Sequence, residues 1–147
     1  PVLMGFFSIT GGGVLDRFPD LRAAFLEAGG DWLPYVVDRM GRYYEVTRYN
    51  GRPVPRRHAR EYLRDGHLFV SVEGDERLLP TVMEIIGEDQ IVASADMPHP
   101  ESRENCLAEI AERKDIPQAA KEKILTHNPA RLFGIDVTAY QHAAAGS

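Results

Sequence analysis

Three acidic residues of this chain stand where a short apolar run stops and a Gly- or Pro-marked turn begins. Glu27 closes the run Leu21-Arg22-Ala23-Ala24-Phe25-Leu26, Glu73 closes Leu68-Phe69-Val70-Ser71-Val72, and Asp96 closes Ile91-Val92-Ala93-Ser94-Ala95. An amphipathic stretch follows each acid. A repeated strand–acid–turn–helix unit predicts an α/β fold whose parallel sheet gathers three carboxylates at the C-terminal edge of its strands. In such folds that edge is where ligands bind and chemistry happens. The pattern reads as the rim of an active site, with part of the site supplied from elsewhere.

The elements that must position these acids follow from periodicity and turn residues. Gly11-Gly12-Gly13 leads into a short helix at Val14–Phe18, stopped by Pro19. From Trp32 to about Tyr49, Leu33, Val36, Val37, Met40 and Tyr44 recur at helical spacing, with Pro34 in the first turn. A Pro-containing loop at 50–55 precedes a more polar helix from Arg56 to Arg64. After the second strand, Asp75 is a candidate N-cap for a helix with Leu78, Leu79, Val82, Met83 and Ile86 on one stripe, and Gly87 ends it. Ser102 to Arg113 is a further helix. Lys121 to Leu125 and Pro129 to Phe133 form a helix pair joined at Thr126-His127-Asn128, and residues 141–147 form a frayed tail.

Composition narrows the function. The chain has 147 residues, 44% of them hydrophobic and 27% charged, enough for one domain with a real core. A net charge of −5 gives no basic field to attract nucleic acid or an anionic membrane. No apolar run approaches the roughly 20 residues of a membrane span. The single cysteine, Cys106, cannot form an intramolecular disulfide; it fits a reducing, cytoplasmic setting and reads as buried packing on a helix. The strands are too apolar for a sheet with one wet face, and three of them would leave two open edges. Those edges predict pairing with a remaining barrel portion or with further copies of the chain.

The residues around the three acids resemble one family. Ala93-Ser94-Ala95-Asp96-Met97-Pro98-His99-Pro100 is similar to the signature of the amidohydrolase-related proteins, in the branch that holds the aminocarboxymuconate-semialdehyde decarboxylase-like and resorcylate decarboxylase-like enzymes. Gly12-Gly13-Val14-Leu15-Asp16-Arg17-Phe18-Pro19-Asp20-Leu21, Glu27-Ala28-Gly29-Gly30-Asp31-Trp32-Leu33-Pro34 and Lys123-Ile124-Leu125-Thr126-His127-Asn128-Pro129-Ala130-Arg131-Leu132-Phe133-Gly134 resemble other segments of it, in order. The resemblance implies a TIM barrel that binds one divalent metal, usually zinc, at the strand C-termini. A full barrel takes roughly 250 residues. The chain would therefore be the C-terminal portion, strands six to eight, with residues 1–135 in the barrel and 136–147 as a tail.

The family holds its metal with histidines on several strands and an aspartate on strand eight. Of these, the resemblance carries over Asp96, as metal ligand and general base; the alternative is an acid that caps the following turn. Where many members have a strand-six histidine this chain has Glu27, either a metal or substrate ligand or the mark of a rebuilt site. His99, between two prolines, acts beside Asp96 on proton or substrate, or else only holds the rim. Glu73 contacts substrate or caps the next helix, and Trp32 is a substrate-side candidate. The cluster Arg52, Arg56, Arg57 and Arg60 binds substrate anions or is a solvated surface; His67 is structural. No His-x-His is present, so the ligand set is incomplete. Two functions follow. One is a metal-dependent enzyme that hydrolyses a C–N or C–O bond or decarboxylates a small acid. The other is a non-catalytic half-barrel acting in assembly or binding.

Overall fold

The structure is a computed structural model and describes residues 1–51, 55–100 and 102–137. Three strands form its centre: β1 (Ala23–Phe25), β2 (Leu68–Val72) and β3 (Ile91–Ala93). They lie in that order, parallel throughout. Ala23 to Phe25 pair with Leu68 to Val70, whereas Ile91 to Ala93 pair with Val70 to Val72. The pairing thus steps up β2 by two residues from one neighbour to the other, the kind of stagger that tilts the strands of a barrel.

The helices are α1 (Val2–Gly11), α2 (Val14–Arg17), α3 (Leu33–Tyr49), α4 (Ala59–Arg64), α5 (Leu79–Ile86), α6 (Cys106–Glu112), α7 (Gln118–Glu122) and α8 (Asn128–Phe133). Alternation along β2 sorts its side chains between two faces. Leu68, Val70 and Val72 join one continuous core with Phe6, Leu33, Val37, Leu63, Leu79, Val82, Ile86 and Ile110. Phe69 and Ser71 point the other way and are buried too, Phe69 under the guanidinium of Arg131 from α8. Burial on both faces explains why the run reads as continuously apolar.

The far, N-terminal edge of the sheet is closed by α8. Asn128, 1% exposed, donates through Nδ2 to the carbonyls of Glu88 and Ile91, each at 2.7 Å. Arg131 donates to the Asp89 carbonyl, and Arg22 donates to the carbonyl of Arg131. Lys123 pairs with Glu88 and Asp89. The acids stand at the opposite edge of the sheet, where β1, β2 and β3 end. No described helix is long and apolar enough to cross a membrane.

Several expected boundaries move. The first strand is Ala23–Phe25 rather than 21–26, because Leu21 and Arg22 precede the ladder that opens with the Ala23 N–H on the His67 carbonyl. Helix α4 starts at Ala59, where His58 forms a capping box with Glu61. Helix α6 starts at Cys106 rather than Ser102. Asp75 is no N-cap: its carboxylate pairs with Arg103 at 3.1 Å, and the helix begins at Leu79. The expected loop at 126–128 is instead a π-helical turn, Lys123–His127, that runs α7 into α8 without a break. Helix α1 had no counterpart in the sequence reading. Of the basic cluster, Arg57 pairs with Asp65 at 2.6 Å over the Tyr62 ring, and the Arg56 N–H bonds Asp16; Arg52 and residues 138–147 lie outside the described residues.

One close approach is testable. A Cβ on Gly74 would collide with the Cβ of Glu109 and come within 3.1 Å of the Cys106 carbonyl oxygen. Gly74→Ala is expected to destabilise the fold by about 1–3 kcal/mol, the usual range for overpacking. A urea midpoint unchanged from wild type would show that α6 can draw back freely from the β2 turn.

Candidate metal centre

Among the described non-glycine residues, Glu27 and Asp96 have positive φ, 60° and 53°. A side chain in that left-handed region costs on the order of 1–3 kcal/mol and persists where its surroundings hold it there. The surroundings are visible at both positions. Ser71, 2% exposed in the middle of β2, accepts the Glu27 N–H on its hydroxyl at 3.0 Å. After β3, the Asp96 carbonyl accepts the His99 N–H at 3.0 Å, and the Arg103 N–H bonds the Ala95 carbonyl at 2.9 Å. The Met97–Pro98 bond is cis.

These turns bring the ends of β1 and β3 together. The two strands flank β2, so their backbones lie about 10 Å apart. Yet one ligand atom each from Glu27, Asp96 and His99 lie within 4.8 Å of one another. His99 Nδ1 sits 2.8 Å from Asp96 Oδ1; the Asp96 side chain is 19% exposed and that of His99 53%. Two carboxylates and an imidazole suit a hard or borderline divalent cation such as Mn²⁺ or Zn²⁺. Three protein groups also leave coordination positions for water, substrate or further ligands. The residues therefore fit a metal.

Other expected site residues fall elsewhere. Glu73 ends the middle strand but is not in the cluster; its charge acts on Arg103 and Cys106 instead. Trp32 donates its indole N–H to the Gly29 carbonyl at 2.7 Å and sets its ring edge-on to Phe6 at 5.3 Å, so it braces the β1 turn. Cys106 is fully buried with Sγ 3.1 Å from the Ser94 carbonyl, and burial pushes its thiol up. His58 caps a helix, and His67 holds the strand end farthest from the acids.

Two residues of the rim were not singled out from the sequence. Ser71 carried a signal, a hydroxyl inside an apolar run. Glu76 carried none: it is one more acid in Glu73-Gly74-Asp75-Glu76. It accepts from the N–H groups of Glu73 and Gly30, both at 2.7 Å. Burial, with Asp31 beside it, raises its carboxyl above the ordinary 4.5 despite those two donors. A carboxyl with a raised folded value holds its proton more tightly in the folded chain than in the unfolded one. Its contribution therefore favours folding most at acid pH and shrinks as pH rises from the ordinary value through the raised one. Urea midpoints of wild type and Glu76→Gln, compared from mildly acidic to neutral pH, should show wild type losing ground to the variant as pH rises. A constant difference would mean that the carboxyl is not shifted.

A parallel βα wall with acids converging at the C-terminal edge of its strands is the arrangement of one side of a (β/α) barrel. The amidohydrolase family profile matches residues 9–135, and the chain belongs to that family. It is 28% identical over 139 residues to the 2-amino-3-carboxymuconate-6-semialdehyde decarboxylase of Dictyostelium discoideum, a match over 90% of this chain and 36% of that protein. An amidohydrolase from Mycobacterium avium subsp. paratuberculosis superposes with a TM-score of 0.75 at 23% identity, over 90% of this chain and 33% of its own. A 5-carboxyvanillate decarboxylase from Novosphingobium aromaticivorans, solved with manganese and 3-methoxy-4-hydroxy-5-nitrobenzoic acid, gives 0.74 at 17% identity, over 91% and 39%. The fold is thus part of the amidohydrolase TIM barrel, and the chain spans about a third of the length of these relatives.

Proposed function

We propose that this chain supplies one wall of the active site of a divalent-metal-dependent enzyme acting on a small carboxylic acid. Decarboxylation is the favoured reaction because the relatives named above include decarboxylases; hydrolysis of a C–N or C–O bond is the other reaction the same wall can serve. The observation that carries the reading is the convergence of Glu27, Asp96 and His99 from the ends of two different strands.

In this reading Asp96 and Glu27 hold the metal, Mn²⁺ or Zn²⁺. When bound, the cation polarises a carboxylate or carbonyl oxygen. His99, held with Nδ1 2.8 Å from Asp96 Oδ1, orients that carboxylate and acts beside it on proton or substrate. Glu73, at the end of β2 outside the cluster, and Trp32, bracing the β1 turn, are in this reading the neighbours that substrate would meet next. The cavity is completed by the rest of a barrel comprising residues 1–135 and a further portion, or by copies of the chain, in a reducing cytoplasm that suits the lone thiol. A second reading, a half-barrel acting in assembly or binding without catalysis, is supported by Glu27 standing where the family resemblance implies a histidine.

Titration with Mn²⁺, followed by the loss of the free-ion paramagnetic resonance signal, separates the two. Saturable binding that Glu27→Gln weakens supports the metal site. No saturable uptake by the chain, alone or joined to the remaining barrel, would sink it.

A further inference from the structure

We infer that Glu76 is a positioning residue for the metal centre: it ties the turn after β1 to the turn after β2 and so fixes where Glu27 meets Asp96 and His99. The inference rests on the reading of Glu27 as a ligand. Both carboxylate oxygens are committed, Oε2 to the Gly30 N–H and Oε1 to the Glu73 N–H, each at 2.7 Å. An amide at this position could accept only one of the two bonds.

The turn itself is moulded on this carboxylate. A Cβ on Gly29, whose φ is 62°, would sit 3.0 Å from Oε1 of Glu76. A Cβ on Gly30 would sit 3.4 Å from Oε2 and 3.0 Å from Cγ1 of Val72. The four residues Glu27-Ala28-Gly29-Gly30 are therefore pinned at both ends by the second βα unit: at Glu27 by the hydroxyl of Ser71, at Gly30 by Glu76. Trp32 adds a third point through its bond to the Gly29 carbonyl. Without the Gly30 anchor, the turn keeps the Trp32 bond at Gly29 and, at Glu27 itself, the single bond to the Ser71 hydroxyl. Holding a half-buried carboxylate beside Asp31 is also unfavourable for the fold taken alone, and such local conflicts concentrate at functional sites.

The test compares wild type, Glu76→Gln, Glu76→Asp and Asp31→Asn. The main readout is amide hydrogen exchange at Glu27, whose N–H bonds Ser71; it needs no metal. Glu76→Gln loses one hydrogen bond but relieves the repulsion from Asp31, so its melting midpoint should stay close to that of wild type. Its Glu27 amide should nevertheless exchange faster, and its Mn²⁺ affinity should fall by about tenfold, as when a group that orients a ligand is removed. Glu76→Asp, which reaches only one turn, should behave likewise if the Gln variant fails to fold. Asp31→Asn keeps both bonds and should leave Glu27 exchange unchanged. Unchanged Glu27 exchange in both Glu76 variants would overturn the inference. If wild type takes up no Mn²⁺, the metal reading fails, and the exchange comparison still decides whether Glu76 positions the turn.

Discussion

Asp96→Asn is expected to weaken Mn²⁺ binding by on the order of 100-fold or more while leaving the fold intact. Groups that only orient metal ligands already contribute about 10–100-fold, so a charged ligand should exceed that range. Asparagine is the informative replacement here. Asp96 has a φ of 53°, a region asparagine tolerates and most other side chains do not. Its side-chain oxygen can also still accept from His99 Nδ1, so the loop geometry survives. What is lost is one negative charge and one strong acceptor. Asp96→Ala would confound that loss with backbone strain. The check is Mn²⁺ affinity by paramagnetic resonance beside an unchanged circular dichroism spectrum; affinity within twofold of wild type would remove Asp96 from the ligand set.

The second large effect is on stability. Phe6→Ala should lower it by about 3–5 kcal/mol, the usual range for deleting a large buried aromatic. Phe6 is fully buried in α1 and meets Phe25 and Trp32 edge-on, each at 5.3 Å. It is the plug between the first helix, the last residue of β1 and the tryptophan that braces the acid-bearing turn. For a domain of this size the melting midpoint should fall by roughly 10–20 °C. Emission from Trp32, the only tryptophan, should shift red as the ring loses its cover. A loss under about 1 kcal/mol would mean that the cavity refills and α1 adds little to the core.

How much of this was legible before folding depended on whether a signal is local. The runs ending in Glu73 and Asp96 became parallel strands because apolar, β-branched stretches bounded by turns have few other uses; the run ending in Glu27 has no β-branched residue and pairs only over Ala23–Phe25. Helix α3 was predicted within one residue from its 3.6-residue spacing. Helix α1 was missed: its sequence, Val-Leu-Met-Gly-Phe-Phe-Ser-Ile-Thr-Gly, is apolar nearly all round and so shows no face to read, and in the fold it buries only Phe6 and Thr10, leaving Leu3, Met4 and Phe7 exposed. The π-helical turn at Lys123–His127 was missed for a related reason. Its Thr-His-Asn-Pro looks like a break, but Asn128 finds its carbonyl partners at Glu88, before β3, and at Ile91, where β3 begins, rather than on its own helix.

By itself the sequence determined that three acids would stand on one edge of a parallel sheet, and motif resemblance singled out Asp96 among them. Both follow from short-range facts: residue type, turn chemistry and period. Which acids meet was decided only in three dimensions. Glu27 and Asp96 follow strands that do not touch, and they converge with His99 from turns whose backbone is left-handed at both acids. Glu73, on the strand between them, is left out. The clamp on that geometry, Glu76, is one of three acids within four neighbouring residues, and no local rule marks it. Its role arises from two backbone N–H groups 46 and 3 residues away, which come together only once the sheet has formed.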